Sequence, residues 1–295
     1  IIPLNHLTKD QAKLSIYNSA LSEYAVAGFD YGYAFANPNG LTIWEAQFGD
    51  FNNGAQILYD QFLSAAEDKW RTMNGLTLLL PHGYEGMGSE HSSARMERFL
   101  QLCSGDNMVV CNVTDPGNYF HLLRRQVKWP FRKPLVVFTP KKLLRHPMAV
   151  SSMDIMAKSS FQKVVDDPRH AGADESSQVD TVMLCTGKIY YDILEGMGEE
   201  TASNLAFVRL EQLHPLPFKE LEGIVQRYGS DANYVWVQEE PQNMGAWSYM
   251  LQHFTRVPLS VISRPMSASP ASGSSELHKI RHTAILDEVF AHASR

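Results

Sequence analysis

The chain of 295 residues is long enough for one large domain or two ordinary ones. Its composition, 44% hydrophobic and 20% charged with a formal net charge of −6, is typical of a packed globular protein. The lack of a long basic run argues against nucleic acid as a partner. No apolar stretch approaches the roughly 18–20 residues that a membrane-spanning helix needs, and we expect no signal peptide.

Cysteine usage predicts a reducing compartment. Cys103, Cys111 and Cys185 all fall in apolar runs, and no C-x-x-C pair is present. We therefore expect buried, reduced thiols rather than disulfides or a metal site.

Strands and helices alternate along the first half of the chain. Short apolar runs predict five strands, at residues 14–18, 41–44, 76–80, 108–113 and 135–138. Helical spacing predicts helices at about 23–36, 55–66 and 94–103, and a fourth that starts at 114–116 with proline near its first position. Ser19 or Ser22 is the expected N-cap of the first helix, and Ser92 or Ser93 is that of the third.

A polar region at residues 140–180 leads into a second unit of the same kind. Its predicted strands are at 181–185, 205–210, 234–237 and 259–262, and its helices are at 189–197, 218–228, 245–254 and 276–291. Because the strands are apolar throughout rather than alternating, the pattern predicts an α/β fold with two doubly wound, mainly parallel sheets.

Residues 81–95 are the segment richest in reactive side chains. Between a predicted strand and a predicted helix they read Pro-His-Gly-Tyr-Glu-Gly-Met-Gly-Ser-Glu-His-Ser-Ser-Ala-Arg. Glycine lets a backbone approach a ligand closely, histidine transfers protons near neutral pH, and a helix N-terminus favours negative charge. The segment indicates proton chemistry on an anionic substrate, and the alternative is a surface loop with two solvated histidines.

Four segments directly follow predicted strands: Glu23, 47–54, 82–91 and 114–118. Ligands of parallel α/β sheets bind outside the carboxyl ends of the strands, so we expect these segments to meet at one edge. Taken alone, Glu23 is equally a surface carboxylate favoured by a helix dipole. Taken alone, 47–54 is either an aromatic platform for a planar ring or a hydrophobic plug under a loop.

Several common sites are excluded. Thr186-Gly187-Lys188 lacks the full spacing of a phosphate-binding loop, and no G-x-G-x-x-G follows a strand. No His/Cys set has the spacing of zinc ligands, and no G-x-S-x-G elbow is present.

Six motifs, in order along nearly the whole chain, resemble the thiamine-diphosphate-dependent component of the 2-oxoglutarate dehydrogenase family. They are Ser-Glu-Tyr-Ala-Val (22–26), Trp-Glu-Ala-Gln-Phe-Gly-Asp-Phe (44–51), His-Gly-Tyr-Glu-Gly (82–86), Glu-His-Ser-Ser-Ala-Arg (90–95), Lys-Leu-Leu-Arg-His-Pro (142–147) and Gln-Glu-Glu (238–240). The resemblance implies a transketolase-like architecture, with a pyrimidine-binding domain at 1–148 and a C-terminal α/β domain at 149–295.

The resemblance also implies roles for individual residues. Glu23 matches the glutamate that hydrogen-bonds N1′ of the cofactor's aminopyrimidine and promotes its imino tautomer. Phe51 matches the aromatic residue that packs on the pyrimidine ring, Phe48 is assigned to the same surface, and Leu21 helps to line the pocket. His91 matches an active-site histidine close to cofactor and substrate.

His82 is a further catalytic candidate in the same loop. The implied reaction is decarboxylation of 2-oxoglutarate on thiamine diphosphate, followed by transfer of the succinyl group to a lipoyl carrier in the citric acid cycle. The implied partners are a second copy of the chain, as a homodimer, and the lipoyl-bearing succinyltransferase. The expected location is the cytoplasm of a bacterium, or the mitochondrial matrix of a eukaryote.

One family feature is missing. The family binds the diphosphate and Mg²⁺ through a Gly-Asp-Gly motif followed by Asn, which this sequence lacks. In the family that domain lies upstream, so we expect this chain to be the C-terminal portion of a longer enzyme, to hold no metal itself, and to be inactive alone. Two alternatives remain open: a dehydrogenase of 2-oxoadipate or another 2-oxo acid, and a non-catalytic dimerisation module.

Overall fold

The computed structural model describes residues 1–19, 22–170, 179–197 and 202–293. These residues form two five-stranded sheets, each with four parallel strands and one antiparallel edge strand. The predicted α/β class with two mainly parallel sheets is therefore confirmed.

The strands are β1 (Ile43–Glu45), β2 (Thr77–Leu80), β3 (Val109–Asn112), β4 (Leu135–Phe138), β5 (Val164–Val165), β6 (Thr181–Cys185), β7 (Leu205–Leu210), β8 (Gln212–His214), β9 (Asn233–Pro241) and β10 (Leu259–Arg264). The first sheet has the order β1-β2-β4-β3-β8 and the second the order β10-β9-β6-β7-β5.

Helices flank both sheets. The α-helices are α1 (Glu23–Ala36), α2 (Gln56–Leu58), α3 (Ala66–Trp70), α4 (Met96–Gln101), α5 (Pro116–Lys128), α6 (Met153–Lys158), α7 (Ile189–Met197), α8 (Phe218–Tyr228), α9 (Trp247–His253) and α10 (Ser275–Ala291). Short 3₁₀-helices lie at Pro3–His6, Gly49–Ala55, Lys141–Leu144 and Pro168–His170, and a π-helix lies at Tyr59–Leu63.

The central strands are buried on both faces, which explains their continuous apolar sequence. All residues of β2, β3, β4 and β6 are buried. In the first sheet Val136 pairs with both Leu78 and Val110, and all three are fully buried. Each such side chain contributes roughly 1.5–3 kcal/mol to the free energy of unfolding.

A strand from the second half of the chain completes the first sheet. β8 runs antiparallel to β3, with Gln212 opposite Cys111 and His214 opposite Val110. Just before it, the buried Glu211 accepts hydrogen bonds from the Thr114 backbone N–H at 2.9 Å and from the Asn118 amide at 3.0 Å. The two halves of the chain are thus joined by backbone pairing and a buried carboxylate, while the division at residue 148 stays a prediction.

The predicted strand at 14–18 is wrong. The structure has no regular element there, and the side chains of Leu14, Ile16 and Tyr17 are exposed. A strand needs a partner for its backbone groups, and none of the described strands pairs with this segment. Glu23 therefore does not follow a strand but is the first residue of α1. The N-cap of α1 is Ser22, which is one of the two residues predicted for that position.

Two predicted helices differ in detail. The expected helix at 55–66 is broken into α2, the π-helix and the start of α3, because the Ser64 N–H and hydroxyl both donate to the Tyr59 carbonyl. The helix expected at 94–103 begins only at Met96. Neither Ser92 nor Ser93 caps it, because the Ser92 hydroxyl donates to the Gly88 carbonyl, and the position before the helix is Arg95 in the left-handed region at φ 60°.

All three cysteines are free thiols, with Cys111 and Cys185 buried and Cys103 partly exposed. Of the helices in the described ranges, none combines the length and apolarity needed to cross a bilayer.

Candidate active site

Two loops at the carboxyl end of the first sheet are tied together by hydrogen bonds. In the segment after β1, the Gly49 N–H donates to the Pro81 carbonyl at 2.9 Å and the Asn52 amide donates to the Ala94 carbonyl at 2.9 Å. In return the Ser93 N–H donates to Asp50 Oδ2 at 3.1 Å. The segment 48–54 is therefore fixed against the loop 81–95, as their predicted convergence requires.

Glycine at position 49 permits this close approach. A Cβ there would lie 2.4 Å from the Pro81 carbonyl oxygen and 2.5 Å from Ala94 Cβ, which is far inside van der Waals contact. The loop itself needs glycine at position 88, where φ is +102°.

An aromatic cluster, made of Phe48, Phe51 and His91, results from this arrangement. The His91 ring lies 4.5 Å from that of Phe48 and 5.7 Å from that of Phe51, centroid to centroid, and nearly perpendicular to both. The Lys141 ammonium lies 3.2 Å from the centroid of the Phe48 ring and donates to the Gln47 carbonyl. Such edge-to-face packing holds each ring in one orientation, so the cluster presents a fixed aromatic wall beside a histidine.

Glu23 lies close to the C-terminal end of the 3₁₀-helix Gly49–Ala55, the helix that also carries Phe51. The Ser22 hydroxyl accepts from the Ala25 N–H and so starts α1 at Glu23. A Cβ at Gly54 would lie 3.1 Å from Glu23 Oε2, so the carboxylate rests on the segment that carries Phe51.

His82 is buried, and both of its ring nitrogens have partners. Nε2 lies 2.6 Å from Glu240 Oε1, and Nδ1 accepts from the Ala94 N–H at 3.1 Å. The charge of Glu240 favours the imidazolium, whereas the Ala94 contact requires that Nδ1 carry no proton. The neutral tautomer with its proton on Nε2 is therefore the form that keeps both hydrogen bonds.

A buried charge cluster lies beneath the loop, at the carboxyl end of the second sheet. Its members are Glu239 and Glu240 at the end of β9, Lys188 before α7, and Asp192 in α7. Lys188 Nζ lies 2.5 Å from Glu239 Oε2 and 2.8 Å from Asp192 Oδ2, and the Tyr84 N–H donates to Glu239 Oε2 at 3.1 Å.

The charged forms of the buried side chains in this cluster are stabilised by their partners. Burial lowers the pKa of Lys188, but the charges of Glu239 and Asp192 outweigh it and raise that pKa overall. Burial raises the pKa of Glu240, but the hydrogen bond from His82 lowers it below its usual value. Glu240 is therefore a carboxylate at neutral pH.

Two cavities border the site. One of about 280 Å³ is lined by residues of both loops together with Ser269 and Pro270, and Phe51, Asp50 and Arg95 are among its walls. A smaller one lies between the Phe48, His82 and His91 side chains. Asp50 Oδ1 is buried and has no hydrogen-bond partner among the residues that the structure describes, which leaves an acceptor free for a bound molecule.

Not every expected residue joins this site. Thr114 and Asn118 direct their hydrogen bonds to Glu211 instead. Leu21 lies outside the described residues. The sequence alone predicts no role for Glu239 or Glu240; the only local signal for them is their position at the end of an apolar strand.

Comparison with family models defines the class of the chain. Residues 4–147 match the transketolase pyrimidine binding domain, and residues 150–290 match the C-terminal region of 2-oxoglutarate dehydrogenase. The fold and these two matches together define a transketolase-like, thiamine-dependent class.

Curated relatives narrow this further. The 2-oxoglutarate dehydrogenase E1 component of Cupriavidus necator is 49% identical over 98% of this chain, and that of Rickettsia felis is 48% identical over 97%. That of Brucella ovis is 48% identical over 97%. The chain belongs to the family of 2-oxoglutarate dehydrogenase E1 components, as the sequence resemblance predicts. It spans about 31% of the length of the Cupriavidus relative.

Proposed function

We propose that this chain supplies the pyrimidine-activating half of the active site of a thiamine-diphosphate-dependent 2-oxoglutarate dehydrogenase. The enzyme decarboxylates 2-oxoglutarate and passes the succinyl group to the lipoyl arm of a succinyltransferase in the citric acid cycle, in the bacterial cytoplasm. The observation that carries the proposal is that Phe51 and His91 meet on two hydrogen-bonded loops while Glu23, at the start of α1, lies against Gly54 in the first of them.

The residues present fit a flat nitrogen heterocycle. Phe48 and Phe51 offer a fixed aromatic wall, and a carboxylate lies at the far end of the segment that carries Phe51. The unpartnered, buried oxygen of Asp50 adds an acceptor. When bound, thiamine diphosphate supplies the carbon nucleophile and the electron sink for decarboxylation.

Each residue then has a role that its chemistry supports. Glu23 would hold the pyrimidine by a hydrogen bond at N1′ and would exchange a proton with it there. Phe51 and Phe48 would pack against the ring and exclude water from one side. His91, with its ring oriented by both phenylalanines, stabilises charge on the keto oxygen of the substrate or moves a proton there.

The diphosphate and its Mg²⁺ are bound elsewhere in this proposal. Within the described ranges, no group of three or more His, Cys, Asp or Glu side chains has the geometry to hold a metal ion. We expect the upstream region of the complete enzyme to bind them, and the 295-residue chain alone not to decarboxylate 2-oxoglutarate.

The proposal includes a homodimer. The exposed face of α1 carries large apolar side chains, with Phe29 70% and Tyr33 53% exposed. Beyond its own helix backbone, a Cβ at Gly28 or Gly32 would meet no atom of the described residues within 4 Å. An apolar helix face of this kind supports packing against a second copy of the chain, and sedimentation equilibrium tests it.

The decisive experiment is the Glu23→Gln substitution in the complete E1 polypeptide that carries these residues. We expect decarboxylation of 2-oxoglutarate to fall at least about 100-fold, since positioned acid–base groups contribute roughly 10²–10⁴, while the circular dichroism spectrum is unchanged. Glu276→Gln is the matched control, because Glu276 also lies in the first turn of a helix with a serine N-cap.

Near-normal turnover by the Glu23 variant would refute the assignment of Glu23. An unmodified enzyme that turned over 2-oxoadipate faster than 2-oxoglutarate would refute the assigned substrate.

A further inference from the structure

We propose that Glu240 is a positioning residue of this active site, acting from the second sheet through His82 to hold the loop 81–95 against the aromatic cluster. The effect on catalysis rests on the function proposed above. The structural effect on the loop does not.

A chain of contacts joins the two halves of the molecule at the site. Glu240 Oε1 lies 2.6 Å from His82 Nε2, and His82 Nδ1 receives the Ala94 N–H. The Ala94 carbonyl in turn accepts from the Asn52 amide at 2.9 Å. Asn52 directly follows Phe51, so one carboxylate of the second sheet is linked through three contacts to the aromatic wall.

The carboxylate sets the tautomer on which these contacts depend. With Glu240 as acceptor, the His82 proton is held on Nε2 and leaves Nδ1 free to accept. Without Glu240, the alternative tautomer places its N–H against the Ala94 N–H, and two donors face each other. Removing the Glu240 carboxylate is therefore expected to break the Ala94 contact, although Ala94 itself does not touch Glu240.

The contact between His82 and Glu240 is buried. His82 is 2% exposed and Glu240 4%, so bulk water does not compete for this hydrogen bond in the unmodified protein. The neighbouring Glu239 holds the loop at a second point through the Tyr84 N–H. The loop therefore stays attached in a Glu240 variant, but its 91–94 segment loses the partner that fixes it.

Neither ring nitrogen of His82 is free to exchange a proton with a substrate. In this proposal His82 links the Glu240 carboxylate to the Ala94 N–H of the loop, and His91 is the histidine that contacts the reacting atoms.

The test compares Glu240→Ala and Glu240→Gln in the complete E1 polypeptide, by amide hydrogen–deuterium exchange and by steady-state kinetics. Glutamine keeps a side-chain oxygen that can accept from Nε2–H, so it is the fold-preserving variant. Asp167→Ala is the matched control, because Asp167 is also a buried carboxylate, bonded to the Arg169 guanidinium and the Phe207 N–H, and it belongs to none of the loops of the site.

We expect Glu240→Ala to raise the exchange rate at Ala94 at least about tenfold, and to leave peptides of β6 and β7 unchanged. The kcat for 2-oxoglutarate should fall about tenfold or more with a smaller change in KM, since misplacement by about 1 Å can cost on the order of 100-fold. Glu240→Gln should restore both measurements to within about threefold of the unmodified enzyme.

Unchanged exchange at Ala94 in Glu240→Ala would overturn the proposal, as would a Glu240→Gln variant no better than Glu240→Ala. A kinetic loss equal to that of Asp167→Ala would also overturn it, because a general loss of stability would then suffice. If the unmodified enzyme does not act on 2-oxoglutarate, the proposed function fails, and the exchange data still decide the role of Glu240.

Discussion

Replacing Gly49 by alanine tests the geometry that brings the two loops of the site together. The added Cβ would lie 2.4 Å from the Pro81 carbonyl oxygen and 2.5 Å from Ala94 Cβ. Favourable contacts lie near 3.5–4.0 Å, so each neighbour must move by about 1 Å. Neither is the end of a flexible side chain, so the backbone itself has to shift.

The expected cost follows from two contributions. Overpacking of a tight site costs typically about 1–3 kcal/mol. Weakening the hydrogen bond from the Gly49 N–H to the Pro81 carbonyl costs about 1 kcal/mol more. We expect the free energy of unfolding of Gly49→Ala to fall by about 3 kcal/mol, measured by urea unfolding followed by tryptophan fluorescence and circular dichroism.

Gly223→Ala is the control for this substitution. Gly223 lies in α8, and a Cβ there would have, apart from its own helix backbone, no neighbour within 4 Å in the part of the chain that the structure describes. Alanine should therefore raise the free energy of unfolding by about 0.5–1 kcal/mol, through its better helix propensity. A Gly49→Ala protein as stable as the unmodified one would refute the close approach of the loops.

Three further predictions concern buried ionisable groups. Lys188→Met should lower the free energy of unfolding by roughly 3–5 kcal/mol, because it leaves buried carboxylates without their cation. Burial raises the pKa of Asp192, but the Lys188 charge outweighs it and holds that pKa at about 2, below the usual 3.8. The stabilisation from the ionised Asp192 is therefore present above pH 3.8 and is lost as the pH falls toward 2. The free energy of unfolding of Asp192→Asn should accordingly differ more from that of the unmodified protein at pH 5 than at pH 3. Cys111 and Cys185 should resist iodoacetamide at pH 8 until urea is added, because burial raises the pKa of each thiol to about 12.

Each of these three predictions has a control or a result that would contradict it. Lys158→Ala breaks a pair whose side chains are 75% and 77% exposed, and should cost less than about 1 kcal/mol. A Lys188 variant no less stable than this control would contradict the buried pairing. An Asp192 difference that grew on acidification would reverse the predicted sign, and rapid labelling of either cysteine in the native protein would contradict its burial.

The parts of the fold that sequence predicts well are those buried on both faces. β6 and β7 have the predicted bounds, because every residue of β6 and nearly all of β7 is buried and therefore apolar. β8 was not predictable: it has three residues, two of them Gln212 and His214, and its pairing partner lies about 100 residues earlier in the chain. Its strand conformation comes from tertiary pairing and not from local pattern.

The same contrast holds for the site. The Phe51 and His91 segments each follow a predicted strand, which predicts that they lie at a common edge of the sheet, and their rings are in contact. The contact of His82 with Glu240 joins residues 158 positions apart, and nothing local to either residue indicates it. The predicted N-cap of α4 was wrong for a related reason. The Ser92 hydroxyl donates to the Gly88 carbonyl within the loop, and the Ser93 N–H donates to Asp50 Oδ2 in the neighbouring loop.

The pairing of β8 with β3 has a practical consequence for dissecting this protein. A truncation after residue 148 would remove the strand that covers the outer edge of β3, together with the carboxylate that satisfies Thr114. The shortened polypeptide would carry a bare sheet edge, which is a template for association with other copies. The two stretches that family models recognise separately are thus poor choices for separate expression, and a polypeptide meant to isolate the first sheet should keep residues 211–214.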